Sequence, residues 1–240
     1  MNANVNPNCS DCKACTTSIF SGFSTEQLSE ISKEKSWHKI KKGEYIFKEG
    51  NAPNGLFCLF DGNVKISKID EEGKEQIVRL AKRGNFIGYR ALLCNDIYHA
   101  SAIAIEDVHL CYFKKETYLG LLYSKPEIAA QTITTLSNDL RFAENMMMNI
   151  AQKHAKGRIA EIILVLEDFY GVYEKDQTIN TCFKREDIGH LAGTTTETTI
   201  RVLSDFSRER VVETVGKKLR ILNKEKLLEL SNRSELFHKK

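Results

Sequence analysis

Proline is scarce, at 3 residues in 240, and no apolar run approaches the ~18 residues needed to cross a membrane. Long helices are therefore permitted, and no membrane partner is expected. The N-terminus MNANVNPNCSDCKAC lacks both a basic n-region and an apolar h-region, so the sequence predicts a cytoplasmic protein. A strong excess of one charge is also missing: 35 Lys and Arg stand against 32 Asp and Glu, a net +3. With 42% apolar and 28% charged residues, this is the make-up of a folded globular chain, which excludes collagen, coiled rods and disordered tails. At ~150 residues per domain the length predicts one or two domains, each able to bury its own core. Cysteine, by contrast, is present in an odd number, seven. In a reducing compartment that argues against a disulfide framework and leaves metal binding, redox sensing or plain burial.

A Cys-rich leader occupies residues 1–16. Residues 17–35 read as a short helical region, with Ser24 as N-cap before TEQLSEI, where Leu28 and Ile31 share a face. From Lys39 to Phe113, short alternating or apolar runs (EYIFKEG, GLFCLF, NVKISKI, EQIVRL, FIGYRALL, SAIAI, HLCYF) are separated by glycines, which predicts an antiparallel β-roll over residues 17–125. Pro126 then opens a helix expected to run unbroken to Gly157, giving a helical element over residues 126–156. Its Leu136, Leu140, Ala143, Met147 and Ile150 are spaced four, three, four, three, a heptad seam. Asn138, Arg141, Glu144 and Asn145 keep that stripe narrow, which favours pairing with a second copy over packing within one chain. Met146, Met147 and Met148 read as seam and flank filling.

Residues 157–240 form a smaller unit. After a helix from Arg158 through Phe169, KREDIGHL reads as a short helix, AGT as a turn, TTETTIRVLSDFSRER as a longer helix, and VVETVGKKLRIL as two strands around Gly216. Helix, tight turn, helix and hairpin make a winged helix-turn-helix, and the whole chain is α+β. From Cys182 to Lys240 there are 13 Lys and Arg against 9 Asp and Glu, a local +4 that suits nucleic acid or a solvated surface. Glu197 and Arg201, four apart, share a helix face and can enter the major groove together, Arg on guanine O6 and N7 and Glu on cytosine N4. The alternative is a surface ion pair, with Thr194 and Glu197 as a capping box.

Roll, seam helix and winged helix-turn-helix, in that order, resemble the family of the cyclic-AMP receptor protein and the fumarate-nitrate reductase regulator. The most specific parts are EEGKEQIVRLAKRGNFIGYRALL and REDIGHLAGTTTETTIRVLSDF, and the resemblance covers nearly the whole chain. It implies a homodimeric transcription regulator that binds a pseudo-palindromic duplex operator and contacts RNA polymerase. It also implies that Thr195, Thr196 and Thr199 serve phosphates or thymine methyls, that Ile200 tunes base preference, and that Lys217 and Lys218 hold the DNA backbone. The nucleotide-binding branch uses a Glu on the ribose and an Arg on the cyclic phosphate. Here Tyr89 replaces the Glu, while His99 and Ala100 occupy the region of the Arg, so no cyclic nucleotide is expected; Arg90 is read as a surface residue.

Cys9, Cys12 and Cys15 form C-x2-C-x2-C, a spacing that lets three thiolates reach three corners of a cubane iron-sulfur cluster from one loop. Zinc shares this donor chemistry. The oxygen-sensing branch of the family completes its cluster with a Cys in a segment like AIEDVHLCYFKKET, which implies Cys111 as fourth ligand, with Cys94 in reserve, and a 4Fe-4S cofactor. The branch's leader resembles C-x2-C-x5-C, so the spacing before Cys15 departs from it. Cys58 and Cys182 read as buried small hydrophobes. That branch also places an acidic residue in the dimer seam where this chain has Ala143, so pairing is expected with or without the cluster. No catalytic constellation is found, the six His at 38, 99, 109, 154, 190 and 238 being scattered. The rival readings are the same fold sensing haem, another ligand or nothing, and an iron-sulfur electron carrier.

Overall fold

A computed structural model describes residues 7–181 and 183–232; Cys182, His238 and the end of the 157–240 unit lie outside them. The chain divides into two compact units, one of the residues through Lys74 with Val78–Phe142, the other of Glu75–Ile77 with the residues from Ala143.

In the first unit, α1 (Thr25–Lys33) begins where expected. The Ser24 hydroxyl accepts from the Gln27 amide at 3.3 Å while the Gln27 side chain accepts from the Ser24 amide at 2.8 Å, a reciprocal cap. The strands are β1 (Lys35–Ile40), β2 (Tyr45–Phe47), β3 (Gly55–Asp61), β4 (Val64–Ile69), β5 (Glu75–Ala81), β6 (Phe86–Ile87), β7 (Ser101–Ala104) and β8 (Val108–Lys114). Two four-stranded sheets result, ordered β1-β8-β3-β6 and β2-β7-β4-β5. Two expectations are corrected. The first strand starts at Lys35 rather than Lys39, and FIGYRALL is not one strand: Gly88, at φ +87°, turns the chain from β6 into the helix α2 (Tyr89–Cys94). The stretch read only as roll also ends in a helix, α3 (Lys115–Ser124).

The first sheet is covered on both faces, which is why GLFCLF shows no polar alternation. Leu59, Val108 and Leu110 join one apolar cluster with Val64, Ile87 and Ala102. Leu56, Cys58, Cys111 and Phe113 join a second, with Phe20, Ile31 and Tyr118. This second layer is built partly from the cysteine leader.

The long helix α4 runs Pro126–Gln152 and stops short of the expected Gly157. His154, extended at ψ 157°, caps the next helix α5 (Ala155–Tyr170), which holds Gly157 inside it. The second unit continues with α6 (Arg185–Ala192), α7 (Thr196–Arg208), the antiparallel hairpin β9 (Val212–Val215) and β10 (Lys218–Ile221), and α8 (Lys224–Ser231), as expected of a winged helix-turn-helix. Gly157 serves close approach: a Cβ there would lie 3.0 Å from the Leu230 carbonyl oxygen. Arg158 closes the helix ends around it, donating to the carbonyls of Lys153, Ala192 and Gly193 at 2.9, 2.7 and 3.2 Å.

Along α4, Ile133, Leu140, Met147 and Ile150 are 63, 61, 64 and 42% exposed, and Ala143 is exposed with them. Leu136 departs from this stripe, being half-buried against the first unit's core. Ile133, seven residues before Leu140, extends the stripe toward the N-terminus.

Candidate functional site

The leader folds as two single 3-10 turns, Cys9–Asp11 and Cys15–Thr17. The Asn8 side chain accepts from the Ser10 amide, the Cys12 amide donates to the Cys9 carbonyl at 3.3 Å, and the Cys15 amide donates to the Cys12 carbonyl at 2.9 Å. The Cys9 amide donates to Ser32 Oγ at 3.2 Å, tying the leader to α1. Gly84 makes room for the second turn: at φ +84° it lies so close that a Cβ would fall 2.2 Å from Thr17 Oγ1.

These turns bury all three leader cysteines in one layer with Cys111. Hydrogen bonding from Cys15 holds the Cys9 and Cys12 thiols down at about 6 against the effect of burial, with Lys35 adding to the lowering. The same contacts push Cys15 far up. Burial raises Cys111 to about 11 against the pull of Lys35.

Two members of the layer escaped the sequence reading. Cys58 is buried as expected of a small hydrophobe, but it stands directly opposite Cys111 across the β3–β8 pair, its thiol pushed up by burial and by Cys111, Cys12 and Cys9. Lys35 is buried, and its ammonium donates to the Pro7 carbonyl within reach of Cys9 and Cys12. A polar residue at a strand start gave no hint of this; the odd count of cysteines was the available signal for Cys58. Cys94 is corrected: exposed at the end of α2, it lines a separate cavity and does not join the layer.

That cavity, about 150 Å³, lies in the roll among Phe47, Ile87, Arg90, Tyr98, His99 and Ala100. It is small beside the ~300 Å³ lower end of ligand pockets. Tyr89 is buried and turned to other work, its hydroxyl donating to Asp139 Oδ2 at 2.8 Å while Arg79 pairs with Asp139 Oδ1 at 2.9 Å. His99 is engaged by Asp96 at 2.8 Å, and Arg90, on the surface as expected, stands at the cavity's edge.

On α7, Glu197, Ile200 and Arg201 project into solvent, and neither charged residue forms an ion pair among the described residues. Two expectations change here. Thr195, not Thr194, caps the helix, its hydroxyl accepting from the Thr198 amide at 3.2 Å. Thr199 is fully buried, its hydroxyl donating to the Thr195 carbonyl at 2.9 Å and its side chain packed beside Gly189, so it cannot reach a phosphate. Lys218 rests its ammonium 3.5 Å over the Tyr173 ring, which leaves Lys217 as the freer hairpin cation. Thr196 is half-buried in the first turn. Ile200 also lines a shallow groove with Arg185, Ser204, Arg208 and Thr214, and Arg185 is a cation the sequence reading passed over.

Elsewhere in the second unit, donor atoms of Glu75, Asp187 and His190 lie within 4.8 Å of one another. Asp187 accepts from the Lys184 amide at 3.1 Å, capping α6, and His190 Nδ1 lies 2.9 Å from a Glu75 carboxylate oxygen.

Residues 37–125 match the cyclic nucleotide-binding domain, and residues 157–230 match the Crp-like helix-turn-helix domain. The chain belongs to the CRP/FNR family of transcription regulators. The "Fumarate and nitrate reduction regulatory protein" of Vibrio cholerae is 27% identical over 231 residues, covering 95% of this chain and 91% of that protein. The protein of the same name in Escherichia coli K12 is 27% identical over 228 residues, 93% of this chain and 90% of the relative. Among solved structures, FixK2 from Bradyrhizobium japonicum has the same fold, with TM-score 0.75 and 22% identity over 82% of this chain and 96% of its own. The family is one of DNA-binding regulators and not of enzymes. Among the described residues no helix is long and apolar enough to cross a membrane.

Proposed function

We propose that this regulator is a homodimer whose operator affinity is set by an oxygen- or redox-sensitive 4Fe-4S cluster held by Cys9, Cys12, Cys15 and Cys111. The observation that carries the reading is the donor set: cysteines far apart in sequence share one buried layer, where Cys15 and Lys35 favour the thiolate form of Cys9 and Cys12. Soft thiolates gathered away from water suit such a cluster. Similarity, at 27% identity, to the fumarate and nitrate reduction regulatory proteins supports it. When bound, the cluster would supply an oxygen-labile redox centre.

The chain's own residues do the rest. Lys35 places a buried positive charge beside thiolates that carry negative charge, which lowers the cost of burying them. Exposed Glu197 and Arg201 present a carboxylate and a guanidinium fork to a G·C step. Thr196 and Lys217 position the unit on phosphates, with Thr195 ordering the helix start. The exposed α4 stripe supplies the dimer seam. A duplex operator with two-fold symmetry follows from that pairing, and RNA polymerase is the expected partner at a promoter. Cyclic nucleotides are not the effector, because Tyr89 offers no carboxylate and its hydroxyl is spent on Asp139. Such a regulator works in the cytoplasm.

Anaerobic purification followed by iron, acid-labile sulfide and visible absorption tests the reading. About four of each per chain with a broad charge-transfer band is expected of a cubane. Zinc in their place, or no metal, would refute it.

A further inference from the structure

Cross-strand neighbours in an antiparallel pair point to the same face of the sheet with Cβ atoms about 5 Å apart. Cys58 and Cys111 are such a pair, in the rigid centre of the β1-β8-β3-β6 sheet, with Trp37 opposite Cys111 on the outer side and Phe86 opposite Cys58. Both side chains belong to the apolar layer that holds Cys9, Cys12 and Cys15, while Leu59 and Leu110, one residue on from each, belong to the other layer. The layer thus holds five cysteines where a cubane needs four.

We infer that Cys58 is a second donor for the fourth ligand position, able to bind the iron that Cys111 otherwise holds. This rests on the cluster reading above. Three corners come from the leader, whose short turns can settle by the small distance separating two cross-strand sulfurs. The fourth comes from the sheet, which offers a thiol on each of two adjacent strands. Cys94, exposed at the end of α2, has no such access.

The test uses the full chain as wild type, Cys58→Ser, Cys111→Ser and the double variant, each loaded anaerobically with ferrous iron and sulfide. Iron and sulfide per chain and visible absorption are measured, and circular dichroism of the unloaded proteins checks folding. Ala replacements, which bury no hydroxyl, carry the test where a Ser variant misfolds. Wild type and both single variants should hold the cluster, and the double variant should lose roughly tenfold or more of its iron. Loss in Cys111→Ser as deep as in the double variant would overturn the inference while leaving the cluster intact as a reading. Full retention by the double variant would overturn it as well. A wild type that takes up neither iron nor sulfide would overturn the cluster and this inference together.

Discussion

Lys35 is a buried cation beside the cysteine layer. Its ammonium sits among cysteines of the leader and the sheet, and replacing it by Met keeps the volume while removing the charge. Lys35→Met should release iron to a chelator roughly tenfold faster under anaerobic conditions, with the unloaded fold intact; unchanged release would show that the charge is not felt. Arg201→Ala should weaken binding to the preferred operator by roughly 1 to 3 kcal/mol and relax its G·C preference. Equal loss on random DNA would make Arg201 a phosphate contact instead. Thr199 behaves differently, because its hydroxyl is buried and bonded to the Thr195 carbonyl. Thr199→Val should cost about 1 kcal/mol in urea unfolding and leave DNA affinity per folded molecule unchanged.

Elements show what could be read in advance and what could not. The cap at Ser24, the hairpin around Gly216 and the helix-turn-helix were legible because each is dictated by local chemistry: a hydroxyl three residues before an acceptor, a glycine between strands, an amphipathic period. The end of α4 was not. Gly157 looks like a helix breaker in sequence, yet it lies inside α5 because the Leu230 carbonyl approaches from a segment over seventy residues away. FIGYRALL misled for a similar reason, its apolar run fitting a buried strand and a buried helix equally well. The C-x2-C-x2-C motif announced a site, but partners on β1 and β3 became visible only through strand register. At this scale Gly157→Ala should destabilise the second unit, since a methyl 3.0 Å from a backbone oxygen must displace it. A lower thermal midpoint is expected; an unchanged one would show that α8 yields freely.

For the whole molecule, the α4 stripe and the cysteine layer bear on separate properties. Burying Ile133, Leu140, Met147 and Ile150 of two copies removes apolar surface without bringing like charges together at Ala143, so pairing should not depend on the cluster. Leu140→Asp should convert the dimer to monomers in sedimentation whether or not iron is bound; a dimer that persists would place the seam elsewhere. The cluster's influence should then be read in DNA affinity. The most direct measurement is the affinity of one anaerobic, cluster-loaded preparation for an operator selected from a random pool, taken before and after air exposure at one salt concentration. A clear loss of affinity, from a protein that remains a dimer, is predicted. Identical affinity in both states would contradict the claim that the cluster is the switch.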